Sequence, residues 1–284
     1  MTLDIAHLQE WTGRSESRND QVTPVPVAAL AATLDLAGDS PRSGDTLSPL
    51  WHWLYFLPIS PRAEAGPDGH PRRGGFLPPV PLPRRMWAGG RLTFHQPLKV
   101  GDAISRTSRI VSVDGKQGRS GSLVFVMVRH EISNAAGLAI TEEHDIVYRD
   151  MPAPDAPPPQ AVAAPQDAQW RRAIHPDPVL LFRYSALTFN SHLIHYSRDY
   201  ATEVEGYPGL VVHGPLIATL LLDLLRRELP DAVVSGFNFR AASPLFDTAD
   251  FQVCGKPSAD GKTVELWAQN AAGGLAMSAI AMLA

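Results

Sequence analysis

The stretch Gly214-Pro-Leu-Ile-Ala-Thr-Leu-Leu-Leu-Asp-Leu-Leu-Arg226 constrains this chain more than any other. It reads as a helix with a proline in its first turn, and nearly every face is apolar until the last turn. A helix greasy all round must be surrounded, as when a sheet wraps it. The run is too short to cross a bilayer, which takes roughly 18 apolar residues. Strands are expected after it at about 233–240, 249–256, 263–270 and 275–283, so the wrapping material is at hand.

The first half carries a similar set of elements. Arg91-Leu-Thr-Phe-His and residues 103–113, 123–132 and 138–148 read as an antiparallel meander, with turns at Asp114-Gly115 and Asn134-Ala-Ala-Gly137. Ile5, Leu8 and Trp11 stand at helical spacing and predict a short packed helix. After Pro24 and Pro26, the run from Val27 to Asp35 is rich in helix formers, and it is expected to be the central helix of this half. The aromatic cluster from Leu50 to Leu57 either caps the core or lines an apolar pocket. Residues 58–83, dense in Pro, Gly and Arg, predict a non-helical lid or interface.

Local words recur between the halves. Phe94-His-Gln-Pro97-Leu98 answers Phe239-Arg-Ala-Ala-Ser-Pro244-Leu245, and Asn134-Ala-Ala-Gly137 answers Asn270-Ala-Ala-Gly273, which points to internal duplication. A proline-rich stretch at 152–166 has almost nothing to bury and predicts an extended linker between units at 1–151 and 167–284. A chain of 284 residues with 44% hydrophobic content can bury two cores of ordinary size. Its net charge of −4 offers no basic stripe for nucleic acid. Cys254 alone allows no internal disulfide, and the N-terminus lacks the pattern of a signal peptide. A soluble cytoplasmic protein, with no membrane partner, is the expectation.

The chemistry concentrates in Thr188-Phe-Asn190-Ser-His192-Leu-Ile-His195 and in His213-Gly214 at the start of the apolar helix. A side-chain amide can position a water, and an imidazole can move its protons near neutral pH. Unpaired N–H groups in a helix's first turn can hold the negative charge that develops on a thioester oxygen. These are the parts needed to add water to an activated double bond, or to remove it. The segment resembles the motif of the MaoC-like hydratases and dehydratases, Ser/Thr-Gly-Asp-x-Asn-Pro-Leu/Ile-His followed by His-Gly before a central helix.

That resemblance implies an α+β double hotdog, two tandem antiparallel sheets each wrapped around a helix. It puts Phe189 at the motif's glycine, Asn190 at its catalytic aspartate, His192 at its asparagine, His195 at its catalytic histidine and Gly214 at the oxyanion hole. Asn190 cannot act as a base, so the proton work falls to His195, with His192 orienting the site. Together with Arg84-Arg-Met-Trp-Ala-Gly-Gly-Arg91, the motif is similar to the branch acting on mesaconyl-C4-CoA, itaconyl-CoA and 3-hydroxyacyl thioesters. A degenerate first half would supply part of the acyl and CoA pocket. No cofactor is expected, since CoA belongs to the substrate.

Other readings of these residues remain beside that one. His192 and His195 form His-x-x-His, but without a third ligand at recognisable spacing no metal is expected. A substrate with a second carboxylate needs a buried cation, preferably arginine. Arg84, Arg85 and Arg91, with Arg183 and Arg240 behind them, are the candidates, each against a reading as a surface residue. The three functions that fit are hydration of a branched C5-dicarboxyl-CoA to citramalyl-CoA, dehydration of a 3-hydroxyacyl thioester on CoA or an acyl-carrier protein, and non-catalytic binding of acyl-CoA. A homo-oligomer of the pseudo-dimeric chain stays open.

Overall fold

The computed structural model describes residues 3–118, 121–151 and 161–284. In chain order the first half holds α1 (Ile5–Gln9), β1 (Ser15–Gln21), α2 (Pro24–Thr33), β2 (Arg84–Phe94), β3 (Ala103–Gly118), β4 (Gly121–Asn134) and β5 (Gly137–Arg149). The second half holds β6 (Trp170–Ile174), α3 (Pro178–Leu187), α4 (Gly214–Glu228), β7 (Val234–Ala241), β8 (Phe251–Pro257), β9 (Thr263–Gln269) and β10 (Leu275–Leu283).

The strands form one antiparallel sheet in the order β1-β3-β4-β5-β2-β7-β10-β9-β8-β6. Counted outward from the β2–β7 seam, each half places its second, fifth, fourth, third and first strand in turn. This shared order is the structural form of the duplication expected from the repeated words. The Asn-Ala-Ala-Gly words make the same turn twice: Asn134 Oδ1 accepts from Ala136 N at 2.9 Å and Asn270 Oδ1 from Ala272 N at 3.0 Å.

The apolar helix is α4, and it packs against β6, β8, β9 and β10. Leu216, Ile217, Leu220, Leu221, Leu224 and Leu225 are all buried, and each contributes about 1.5–3 kcal/mol. The one carboxylate on this helix's buried surface, Asp223, accepts from Arg172 of β6 at 2.6 Å, Arg226 at 2.6 Å and Arg227 at 2.8 Å. Burial pushes its pKa up, but the bonds to Arg227 and Arg226 outweigh it and hold the group ionised.

Several expectations need correction. α2 is a helix but not a central one: it buries only Leu30 and packs on α3 and on the 3-10 turn Trp51–Leu54. Alanine and proline announced a helix without an apolar stripe to bury. Trp51, Leu54, Tyr55 and Phe56 instead join Leu92, Ile104, Ile132 and Ile140 in the core shared by both halves. Asp114 and Gly115 do not turn the chain; β3 runs through them and pairs Asp114 with Phe125 and Gly118 with Gly121. Gly115 serves packing, since a Cβ there would lie 2.4 Å from Ile5 Cδ1 of α1.

The expected linker falls mostly on residues 152–160, outside the described residues. The remainder, 161–166, lies against the second half, with Ala164 N donating to Gly273 O at 2.9 Å. Among the described residues no helix is long and apolar enough to cross a membrane.

Candidate active site

Local sequence sets the loop that carries the site. Asp177 caps α3 by accepting from Val179 N at 2.7 Å and Leu180 N at 3.1 Å, and Pro178 fits the first turn. The other end of α3 closes with the paired bonds of a Schellman motif, Asn190 N to Ser185 O at 2.8 Å and Phe189 N to Ala186 O at 3.3 Å. Phe189 therefore takes the left-handed position, at φ 51°, that glycine fills most easily. Asn190 Oδ1 then accepts from His192 N at 3.1 Å, which turns the chain into the 3-10 turn Leu193–His195.

His195 is buried, and its Nδ1–H donates to Val211 O at 2.7 Å. That bond leaves Nε2 as a bare acceptor. Burial brings the pKa of His195 down to about 4, so the ring is neutral at ordinary pH. His213 stacks on it with centroids 3.7 Å apart, and the His213 Nε2 is 2.7 Å from Ser185 Oγ. His192 stands edge-on to His195 at 5.6 Å, and burial pushes its pKa down to about 2. Gly214 opens α4 behind these rings, and a Cβ there would meet nothing within 4 Å. Its N–H belongs to a first turn with no intrahelical acceptor, beside open space.

The first half reaches this loop as well. Leu193 N donates to Asp68 O at 2.9 Å and Ser191 Oγ to Gly69 O at 2.6 Å. Gly69 sits at φ 89°, and a Cβ there would stand 2.0 Å from Ser191 O, so the two backbones meet where only glycine fits. The His70 ring lies 4.2 Å from that of His192, and Asp68 holds it through His70 N at 3.0 Å and Nδ1 at 3.3 Å. Asp68, His70 and His192 are close enough to surround a cation. Sequence reasoning missed Asp68 and His70, because no linear spacing ties Gly-Pro-Asp-Gly-His-Pro to a motif more than a hundred residues away.

The candidate arginines separate. Arg84 pairs with Glu205 at 3.1 Å and lies over the Tyr207 ring. Arg91 is bound by Glu143 at 2.8 Å and Asp145 at 2.6 Å, on the face of β2 opposite buried Leu92. There it borders an outer groove of about 660 Å³ that contains none of the expected catalytic residues. Arg183 and Arg240 are exposed. Arg85 faces Tyr148 in the register of β2 on β5, and its charge bears on His70 and His192. The structure thus brings His192, His195 and His213 together at the start of α4, ties Asn190 to the backbone of His192, sets Arg85 on β2 opposite Tyr148 and leaves Arg91 elsewhere.

Ten strands with one shared order in each half define a double hotdog. A Mycobacterium tuberculosis protein described as a double hotdog aligns over 96% of both chains at TM-score 0.57 and 15% identity. A MaoC-like dehydratase from Phytophthora capsici aligns over 99% of this chain and 98% of its own, with TM-score 0.71 and 12% identity. The sequence profile of hydroxyacyl-thioester dehydratase type 2 matches residues 50–247. The mesaconyl-C4-CoA hydratase of Chloroflexus aurantiacus is 48% identical over 278 residues, 98% of either chain. This chain belongs to the hydroxyacyl-thioester dehydratase type 2 family of MaoC-like hotdog proteins.

Proposed function

We propose that the protein is a hydro-lyase that reversibly adds water to a branched C5-dicarboxyl-CoA, mesaconyl-C4-CoA or its itaconyl isomer, forming citramalyl-CoA. The observation that carries the reading is the buried, neutral His195 with one nitrogen tied to Val211 O and the other free at the mouth of α4. The near-half identity to a mesaconyl-C4-CoA hydratase along the whole chain supports the substrate class. The family's name favours a second reading, dehydration of 3-hydroxyacyl thioesters, which is the same chemistry run backward on an unbranched acyl chain. A cytoplasmic setting fits a CoA-dependent reaction.

In the proposed mechanism His195 Nε2 removes a proton from water as the water oxygen bonds to the β-carbon. Asn190 holds that water: its Oδ1 already serves His192 N, so its amide nitrogen is the part turned to the water oxygen. In mesaconyl-C4-CoA, whose double bond is conjugated with the thioester, the π electrons move onto the thioester oxygen as an enolate, which the Gly214 N–H and the positive end of α4 stabilise. Itaconyl-CoA, whose double bond is not conjugated, reaches this step only after its double bond has shifted to the mesaconyl position. The imidazolium then returns its proton to the α-carbon. Asn190 neither gives nor takes a proton, and no cofactor enters the sequence.

The test is mass spectrometry of the purified protein with mesaconyl-C4-CoA, itaconyl-CoA and crotonyl-CoA. A gain of one water on mesaconyl-C4-CoA is expected, and on itaconyl-CoA only as fast as its double bond shifts into conjugation, with kcat/KM down by about 10²–10⁴-fold in His195→Ala. Retention of full turnover by that variant would end the assignment of the base, and binding of all three esters without turnover would leave an acyl-CoA binder.

A further inference from the structure

We infer that Arg85 and His192, walled in by the Asp68–His70 loop of the first half, form the subsite for the free carboxylate of the acyl group. The inference rests on the proposed hydration of a dicarboxyl-CoA and adds where that substrate is recognised.

The substrate's own covalent structure limits the location. In mesaconyl-C4-CoA the carboxylate is bonded to the β-carbon, the atom that water attacks. Its receptor therefore lies next to the water on His195, not at the far end of a tunnel. One wall beside His195 is His192, whose ring stands edge-on to it at 5.6 Å, and the His70 ring lies 4.2 Å from that of His192. Arg85, which faces Tyr148 in the register of β2 on β5, is a cation whose charge bears on both the His70 and the His192 imidazoles. His192 is neutral and so keeps one ring N–H to donate.

Charge selects among the arginines. Glu205 neutralises Arg84, and Glu143 and Asp145 neutralise Arg91. Among the described residues no carboxylate lies in ion-pair range of Arg85. The charged groups that bear on His70 are Arg85, Arg73 and Asp68. Arg73 is spent on the carbonyls of Val80, Leu82 and Pro83, and Asp68 on His70 N and Nδ1. Two cations against one anion leave a single positive charge, which one substrate carboxylate would neutralise. That same excess opposes a divalent cation among Asp68, His70 and His192, although their spacing would admit one.

Succinyl-CoA and butyryl-CoA make the test, because they are saturated, differ only in carboxylate against methyl at the β-carbon, and carry the same CoA phosphates. By calorimetry the native protein is expected to bind succinyl-CoA the more tightly. Arg85→Gln should weaken succinyl-CoA by roughly 10- to 100-fold, the loss of one charge-assisted hydrogen bond, and butyryl-CoA by far less. Arg85→Lys should recover part of the preference and serves as the readout if the glutamine variant fails to fold. His192→Gln should reduce the same preference by a smaller factor.

Equal weakening of both esters would mean that Arg85 holds CoA phosphate, and no weakening of either would remove it from the site. Loss of succinyl-CoA binding on chelation, or stoichiometric binding of Zn²⁺ abolished by His192→Gln, would make the cluster a cation site. Each of these results overturns the inference. Failure of the native protein to hydrate mesaconyl-C4-CoA would instead strike the proposed function and leave the binding preference to stand or fall separately.

Discussion

Among the described residues two buried histidine clusters stand apart, one around Glu142 and one around His195, and the difference that matters is whether a carboxylate sits at the centre. In the first half His52 Nε2 lies 3.0 Å and His144 Nε2 2.5 Å from the Glu142 carboxylate, which also accepts from Trp53 Nε1 at 2.8 Å. In the second half His195, His192 and His213 stand together, and the nearest carboxylate, Asp68, is already taken by His70. Each cluster has a histidine paired with a serine, His130 with Ser108 at 2.8 Å and His213 with Ser185 at 2.7 Å. Each also lies beside non-glycine residues in the left-handed region, Leu50 and Phe56 in one case and Phe189 in the other. A carboxylate at the centre engages its histidines and makes the first cluster a brace. Without one, His195 is left a lone pair with nothing in the protein to receive.

The largest expected effects divide along that line. Glu142→Ala leaves two rings and an indole N–H without their buried partner and should cost about 3–5 kcal/mol of folding stability by urea denaturation. The turnover of the molecules that remain folded should stay near native. His195→Ala should do the reverse, with turnover falling by about 10²–10⁴-fold while the denaturation midpoint moves much less. Equal behaviour of the two variants in both measurements would erase the distinction between brace and base.

The response to pH sharpens it next. Burial raises the pKa of Glu142, but the charges and hydrogen bonds of His144 and His52 outweigh it, and the folded value lies well below the ordinary one. A depressed carboxylate stabilises the fold above its unfolded pKa and loses that contribution as pH falls through the folded one. His195 is depressed to about 4 by burial, so its neutral form, the one that can accept a proton, persists down to that pH. The acid limb of kcat/KM is therefore expected near pH 4 and not near 6.5, in assays short enough to precede unfolding. A limb near 6.5 would place the working base in a wetter setting than this one.

What was legible in the chain follows the reach of the interactions. Strands β4, β5 and β7 to β10 show their apolar alternation or turn words within a few residues and lie within about two residues of their expected positions, while β3 starts where expected but runs on past Gly115. The edge strand β1, Ser-Glu-Ser-Arg-Asn-Asp-Gln, is almost wholly exposed and polar, so nothing in its composition marks it. Gly115 looked like a turn because sequence cannot tell a glycine that reverses a chain from one that makes room for Ile5. The site divides the same way. Asn190, His195 and Gly214 lie within one continuous stretch and could be read together. Asp68 and His70 join them through contacts such as Ser191 to Gly69, 122 residues apart, which no local pattern encodes.

The smallest expected effect tests how much strain the second cluster carries. Phe189 closes the Schellman turn before Asn190 in a left-handed conformation and is 43% exposed as a residue, so packing returns little for the strain. Left-handed backbone costs a residue with a Cβ roughly 1–2 kcal/mol, and glycine gives back about 0.4–1 kcal/mol through the entropy of the unfolded chain. Phe189→Gly should therefore raise stability by about 0.5–1 kcal/mol in urea denaturation, where most substitutions at a packed site lower it. If the loop serves only to hold Asn190 and His195 in place, kcat/KM should be unchanged or slightly lower. A stability loss of 1 kcal/mol or more would show that the phenyl ring packs against something the exposed surface does not reveal, and would move Phe189 from the cost of the turn to its support.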